Sequence, residues 1–208
     1  MKPNTALLMI DLQNDFCPGG QLAVPHGDEV IVLANRLQPL FNLVIATKDW
    51  HPANHVSFAA NHWNSSVGNV VEVKGCQQIL WPIHCVQGSV GAEFHPALQT
   101  DKINRIVYKG MDPLIDSYSA FYDNEHGRAT GLADYLHDHH VDTVYVMGLA
   151  TEYCVKYSCL DAAALGFRVM MIENACRGVA LHTGDVSASI EEVKNRDVNL
   201  ISMEDIIL

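Results

Sequence analysis

Cys154 is the residue whose position in this sequence most favours chemistry. It follows an apolar run, residues 143–147, that predicts a buried strand, and a turn at Gly148 leads from there into a predicted helix. The unpaired N–H groups and the positive dipole end of a helix N-terminus stabilise a thiolate, so we expect the pKa of this cysteine to be lowered. The same N–H groups can hold an oxyanion. The alternative is a small apolar cysteine that is buried for packing.

Two further residues, Asp11 and Lys109, also follow apolar runs and complete a chemically sensible set with the cysteine. Asp11 can accept the thiol proton, which generates the nucleophilic thiolate. A lysine beside both groups would lower the pKa of the thiol and hold the carboxylate in place. Each residue alone is compatible with a solvated strand end. Their shared position after successive strands predicts that Asp11, Lys109 and Cys154 act together.

Asp49 and His51 form a second group, separated by one residue in a segment expected to be extended. Residues two apart in an extended chain point to the same side, so they can share a divalent ion such as Zn²⁺, Fe²⁺ or Mn²⁺. His84 is the best third ligand, and His55 and His62 are alternatives. Three protein ligands leave open positions, which is typical of a catalytic site. On their own, Asp49 and His51 are better explained by hydrogen bonds that hold the loop.

A parallel sheet is needed to bring these residues together, and the apolar runs predict one. Short continuous runs are typical of strands buried on both faces, and segments with helical periodicity lie between them. The predicted strands are 6–10, 43–47, 105–108, 143–147, 168–172 and 198–203, and the predicted helices are 28–41, 131–139, 152–165 and 185–196. This alternation indicates an α/β fold with helices on both faces of the sheet. Because ligands bind beyond the carboxyl ends of such strands, the site is expected at that edge.

A long segment, about residues 50–100, interrupts the alternation and is rich in His, Asn, Ser, Gly and aromatic residues. Loops of this length are unusual in compact domains and are usually functional. With 208 residues, 49% of them hydrophobic, the chain is expected to form one domain, residues 1–208. Within that domain the long loop is expected to carry metal and substrate contacts.

The composition excludes several classes of partner. The net charge is −11, and no basic cluster suited to nucleic acid is present. No apolar run is long enough to cross a membrane, and the stretch 6–10 is too short for a signal peptide, so a cytoplasmic protein is expected. The six cysteines show no CxxC spacing and are expected to be reduced thiols. A structural zinc held by Cys76 and Cys85 is the weaker alternative to the Asp–His set.

Five motifs, in family order and spread over most of the chain, resemble the nicotinamidases of the isochorismatase-like cysteine hydrolase superfamily. They are Ile10-Asp-Leu-Gln-Asn-Asp-Phe-Cys-Pro-Gly-Gly20, Ala46-Thr-Lys-Asp-Trp-His-Pro52, Trp81-Pro-Ile-His-Cys85, Tyr108-Lys-Gly110 and Gly148-Leu-Ala-Thr-Glu-Tyr-Cys-Val155. The second and third motifs together separate nicotinamidases from most other members of the superfamily. The resemblance implies a three-layer αβα fold with a mainly parallel sheet. It also implies metal-dependent hydrolysis of nicotinamide to nicotinate and ammonia, in NAD salvage.

The resemblance further implies roles for the catalytic residues. Asp11, Lys109 and Cys154 match the catalytic triad of the family, in which the cysteine forms a thioester with the acyl group of the substrate. The peptide bond between Leu149 and Ala150 is implied to be cis. The backbone N–H groups of Ala150 and Cys154 are then implied to form the oxyanion hole.

One divalent metal ion per chain is also implied, with zinc in first place and iron or manganese as alternatives. The implied ligands are Asp49, His51 and His84. Some members of the family use a further histidine, and His55 is the candidate for it here, either as a ligand or as a hydrogen-bond partner of a metal-bound water. Phe16 and Trp81 match the aromatic residues that flank the pyridine ring.

Two other functions remain as alternatives. One is another small-amide hydrolase of the same superfamily; true isochorismatases lack the catalytic cysteine, so Cys154 counts against that activity. The other is a metal-dependent binding module without turnover, which the presence of all three triad residue types disfavours. The expected partner is a small molecule rather than nucleic acid or a membrane, and a homo-oligomer is compatible with the sequence.

Overall fold

The computed structural model of the protein describes residues 4–207. The strands are β1 (Thr5–Ile10), β2 (Leu43–Asp49), β3 (Val70–Val73), β4 (Cys76–Ile79), β5 (Arg105–Lys109), β6 (Thr143–Leu149), β7 (Arg168–Arg177) and β8 (Val198–Ile201). Six of them form one sheet in the order β5-β2-β1-β6-β7-β8, and every neighbouring pair in it is parallel. The other two, β3 and β4, form a separate antiparallel hairpin.

Helices cover both faces of the sheet. They are α1 (Glu29–Leu37), α2 (Leu132–Asp138), α3 (Lys156–Ala164), α4 (Asp185–Lys194) and α5 (Glu204–Ile207). Successive residues of the buried strand β1 point to opposite faces. Leu7 and Met9 pack with α1 and α5, whereas Ala6, Leu8 and Ile10 pack with α2, α3 and α4. The predicted three-layer αβα fold is therefore confirmed. Within residues 4–207, no helix has the length and apolar character needed to cross a membrane.

The predicted elements are all present, and several of their ends differ from the prediction. The helix predicted for 28–41 stops at Leu37 and continues as a 3₁₀ turn, Gln38–Leu40, because Pro39 has no N–H group to extend the α-helical pattern. The strand predicted for 198–203 ends at Ile201. The helix predicted for 152–165 begins as a π-helical turn, Thr151–Val155, before α3.

The long loop contains one feature that was not predicted, the hairpin β3–β4. Its side chains are largely exposed, so it lacks the apolar runs that revealed the other strands. The loop is closed at its base, since the N–H of Ala59 donates to the carbonyl of Trp81 (2.9 Å) and the N–H of Trp81 donates to that of Ser57 (2.7 Å). The chain between these residues, 60–80, therefore begins and ends at neighbouring points, and its last part packs back against the protein through the buried Gln78 and Leu80.

Candidate active site

The carboxyl edge of the sheet brings together the residues that the sequence places after successive strands. Lys109, at the end of β5, lies at the centre of the group. Its Nζ is 2.8 Å from Asp11 Oδ2 and 3.2 Å from Cys154 Sγ, and it also donates to Asp49 Oδ1. Lys109 Nζ also donates to the carbonyl of Ser117 (3.1 Å). One ammonium therefore contacts both carboxylates and the thiol.

Burial makes the charges of this group interdependent. The side chains of Lys109 and Asp11 are fully buried. Burial alone would lower the pKa of Lys109, but Asp11 and Asp49 outweigh it and raise that pKa well above its ordinary value. Burial also raises the pKa of Asp11, with Lys109 opposing it. For Asp49, burial is outweighed by Lys109 and His51, which hold its pKa well below the ordinary value. Lys109 is thus a cation, and Asp11 is the more basic of the two carboxylates.

Cys154 differs from the expectation that its pKa would be lowered. Burial raises the pKa of the thiol well above its ordinary value, and Lys109 opposes this only in part. Cys154 lies in the π-helical turn, where the N–H of Val155 reaches back five residues to the carbonyl of Ala150 (3.2 Å). π-Helical turns are rare and are frequently found at functional sites. Helix position and Lys109 therefore do not bring the pKa of Cys154 below its ordinary value, and the buried thiol needs a base, the role that the sequence predicts for Asp11.

The predicted metal ligands also lie together. Asp49, His51 and His84 each offer an atom within 4.8 Å of the others, and Asp49 Oδ2 is 3.5 Å from His51 Nε2 and 3.7 Å from His84 Nε2. Both imidazoles donate from Nδ1 to main-chain carbonyls, His51 to Gly110 (2.9 Å) and His84 to Pro82 (2.8 Å). These bonds leave Nε2 free as an acceptor and fix the ring, as outer partners of metal-binding histidines do. The donor set therefore fits a divalent ion.

Gly110 is required by this arrangement. Its φ is +64°, and a Cβ at this position would collide with the ring of His51. Only glycine lets the main chain after Lys109 come close enough to orient that imidazole.

The two alternative histidines differ from each other. His62 Nε2 bonds the carbonyl of Val56 (2.6 Å) and belongs to no group of candidate ligands among the described residues. His55 lies against His51, with ring centroids 4.1 Å apart. Its Nδ1 lies 2.7 Å from the hydroxyl oxygen and 3.3 Å from the main-chain nitrogen of Ser57. Its buried Nε2 has no hydrogen-bond partner among residues 4–207, and His55 forms a second group of possible ligands with His51 and Asp116. Burial together with His51 lowers the pKa of His55 to about 4.

A cleft opens beside both groups, with about 360 Å³ of space free of protein atoms, open solvent included. It is lined by Phe16, Leu22, Asp49, His51, Trp81, His84, Asp116, Tyr118, Ala150, Tyr153, Cys154 and Val179. The predicted aromatic residues are thus at the cleft: the ring of Phe16 contacts His84 edge-on at 5.6 Å, and Trp81 Nε1 donates to the hydroxyl of Tyr118 (3.1 Å). The peptide bond between Leu149 and Ala150 is cis, as the resemblance implied.

Several residues of the site were not predicted from the sequence. The hydroxyl of Thr47 bonds both the carboxylate and the N–H of Asp11. Asp15 Oδ2 accepts the N–H of Cys85 (2.7 Å), the residue after His84. Asp116 is buried at the cleft, and its carboxylate accepts bonds from Ser117 and Gln78. Asp15 lies within the first of the five motifs, and this position was the only indication of its importance in the sequence. Asp116 follows no predicted strand, so nothing in the sequence indicated that it reaches the site.

The sequence model of the isochorismatase domain family matches residues 5–205 of the chain. The chain belongs to the isochorismatase family. This member of the family is 47% identical to a nicotinamidase from Escherichia coli, over 98% of this chain and 97% of that protein. A solved nicotinamidase/pyrazinamidase from Acinetobacter baumannii superposes with a TM-score of 0.96 at 43% identity, covering 99% of each chain. A pyrazinamidase from Pyrococcus horikoshii, solved in complex with zinc, has a TM-score of 0.78 at 36% identity, with 96% of this chain and 99% of that chain covered.

These matches confirm the resemblance inferred from the five motifs. They also confirm the predicted class of enzyme, an amide hydrolase.

Proposed function

We propose that this isochorismatase-family hydrolase converts nicotinamide and water into nicotinate and ammonia through a thioester on Cys154. The observation that carries the proposal is the position of Lys109, whose ammonium contacts Asp11, Asp49 and Cys154. It joins a nucleophile, a base and a metal-binding carboxylate at one cleft. The nicotinamidase from E. coli supports the substrate, and the reaction would belong to NAD salvage.

Asp49, His51 and His84 would hold one divalent metal ion. Two imidazoles and a carboxylate suit zinc, with iron or manganese as alternatives, and the zinc complex of the P. horikoshii pyrazinamidase supports the first of these. When bound, the ion would supply a Lewis-acid contact for the ring nitrogen of the substrate. His55 packs against His51, and its Nε2 has no partner among the described residues, so it would serve either as a further ligand or as a hydrogen-bond partner of a metal-bound water.

The first half of the reaction forms the acyl-enzyme. Asp11 takes the proton of the Cys154 thiol, and the sulfur attacks the carboxamide carbon, forming a C–S bond. The N–H groups of Ala150 and Cys154 stabilise the oxyanion of the tetrahedral intermediate. Asp11 then gives its proton to the nitrogen, the C–N bond breaks, and ammonia leaves. Lys109 stays charged beside each of these groups.

The second half returns the enzyme to its starting state. Asp11 takes a proton from water, and the resulting hydroxide attacks the thioester carbon. The C–S bond breaks, nicotinic acid leaves and gives its carboxyl proton to solvent to become nicotinate, and the proton on Asp11 returns to the sulfur of Cys154. Phe16 and Trp81 hold the ring throughout, since both line the cleft.

Ammonia release from nicotinamide, compared with benzamide, tests the proposal directly. Benzamide has the same carboxamide but no ring nitrogen, so a site built around that nitrogen should reject it by several orders of magnitude. Pyrazinamide keeps a nitrogen at the corresponding ring position and should be hydrolysed. Comparable rates on nicotinamide and benzamide would instead indicate a general aryl amidase, and no release from nicotinamide would refute the proposal.

A further inference from the structure

The sheet has a gap beside Asp49. Strand β1 pairs with β2 only as far as Met9 and Ala46, because the chain turns away at Asp11, whose φ is +51°. Strand β2 continues to Asp49, which pairs with Lys109 of β5 on the other side. On the side of β1, the N–H and C=O of Asp49 therefore have no strand to bond.

Gln13 fills this gap with its side chain. Gln13 Oε1 accepts the N–H of Asp49 (2.8 Å), and Gln13 Nε2 donates to the carbonyls of Asp49 (2.8 Å) and Ala92 (2.8 Å). The residue is fully buried. A carboxamide offers the same donor and acceptor as a peptide group, so it replaces the strand that is missing here. If the amide of Gln13 were reversed, its NH₂ would face the N–H of Asp49, and its oxygen would face the carbonyls of Asp49 and Ala92. Both arrangements lack a hydrogen bond, so the orientation of the amide is fixed.

The position of the Asp49 backbone matters to the site, because the side chain of Asp49 contacts several other site residues. One oxygen of its carboxylate accepts from Lys109, and the other lies 3.5 Å from His51 Nε2 and 3.7 Å from His84 Nε2. A shift of the main chain would move the carboxylate relative to all three partners. Ordinary sheet pairing secures only one side of this residue.

We propose that Gln13 is a positioning residue that fixes Asp49 for metal binding. The inference rests on the proposed function in one respect, because it takes Asp49 as a metal ligand. The competing explanation is that Gln13 only satisfies buried main-chain groups and so contributes to stability alone. Metal affinity, measured apart from activity, separates the two.

The chain offers a matched control in Gln38. It is also fully buried and donates from Nε2 to a main-chain carbonyl, that of Gln99 (2.9 Å), but it lies at the end of α1 and contacts none of the site residues. Gln13→Met and Gln38→Met therefore remove the same group from equally buried positions. Both should lower the melting temperature, and only the first should weaken metal binding.

The experiment titrates chelator-treated, full-length protein with Co²⁺ and follows its visible absorption, which reports the geometry of the ligands. Gln13→Met should weaken the affinity about 10–100-fold, the usual effect of losing an outer partner of a metal ligand. It should also alter the spectrum, and Gln38→Met should change neither. If Gln13→Met does not fold, the pair Gln13→Ala and Gln38→Ala replaces it, because water can enter the smaller site and bond the main chain.

Two outcomes would overturn the inference. One is a Gln13 variant that binds Co²⁺ with the affinity and spectrum of the wild type. The other is an equal loss of affinity in the Gln13 and Gln38 variants, which would show a general effect of stability. Nicotinamide hydrolysis by the metal-loaded wild type is measured in parallel. If the wild type hydrolyses nicotinamide and one of these two outcomes is found, the role of Gln13 is rejected and the proposed function stands. If the wild type neither hydrolyses nicotinamide nor binds Co²⁺, the proposed function and the role of Gln13 are both rejected.

Discussion

Lys109→Met should destabilise the protein more than most single substitutions do. Methionine matches the length of the lysine stem but removes the charge, which leaves Asp11 and Asp49 buried with oxygens within 4.8 Å of each other. Removing one partner of a buried ion pair costs about 3–5 kcal/mol, because the remaining charge has lost its compensation. For a chain of this length about 1 kcal/mol shifts the melting temperature by roughly 2–4 °C. The expected fall is therefore about 6–20 °C.

The pH dependence of this loss follows from the carboxylates. A carboxyl whose pKa is held low in the folded protein contributes stability above its ordinary pKa and loses that contribution as the pH falls through the lowered value. Lys109 is the main group that lowers the pKa of Asp49. The deficit of Lys109→Met should therefore be largest near neutral pH. It should narrow as the pH falls toward roughly 4, where the carboxyls of the variant take up protons.

Scanning calorimetry of chelator-treated protein measures both effects, and Asp11→Asn supplies the control. Combined with Lys109→Met, it removes one of the two repelling charges, so the double variant should be more stable than Lys109→Met alone. The coupling between the two positions should be about 0.5–3 kcal/mol. A melting temperature for Lys109→Met within about 2 °C of the wild type, or a double variant that loses the sum of both single effects, would refute the electrostatic account.

Three further predictions concern the nucleophile, the base and the metal. Cys154→Ala should abolish ammonia release while calorimetry finds the fold intact, and Cys159→Ala, a buried cysteine in α3, should retain activity; equal behaviour of the two would mean that the nucleophile is misassigned. Asp11→Asn should slow the alkylation of Cys154 by iodoacetamide at neutral pH, because the raised pKa of the thiol makes its reactivity depend on a base. Mass spectrometry measures the rate of alkylation, and an unchanged rate would remove Asp11 from the role of base. Stripping the metal should lower both activity and melting temperature, and zinc, manganese or iron should restore both. His84→Ala should weaken metal binding, measured by titration, more than His55→Ala does, whereas equal losses would make His55 a ligand.

The strands could be predicted from the sequence because they are buried on both faces. Such strands are continuous apolar runs, as in β1 and β6, and the residue after each run is found at the carboxyl edge of the sheet. That rule alone placed Asp11, Asp49 and Lys109 close together. The hairpin β3–β4 left no such signal, because its side chains are largely exposed and the half-buried Val71 and Val73 alternate with exposed residues instead of forming a continuous apolar run.

The electrostatics of the site could not be predicted in the same way. A helix terminus and a nearby lysine both favour a thiolate, and both are visible in the sequence. The desolvation that raises the pKa of Cys154 depends on how tightly the π-helical turn packs against the sheet, which no local pattern reports. The same holds for Asp116, whose segment has no regular structure and reaches the cleft only through tertiary packing.

The closed base of the long loop bears on how this enzyme could be redesigned. The bonds that tie Ser57 and Ala59 to Trp81 let residues 60–80 form an excursion that begins and ends at one point. Lengthening such an excursion costs little chain entropy, since the cost grows only with the logarithm of loop length. Insertions near the exposed Trp63, or at the turn at Lys74, would leave the π-helical turn that carries Cys154 undisturbed. A reporter domain or a specificity-altering lid could therefore be grafted there.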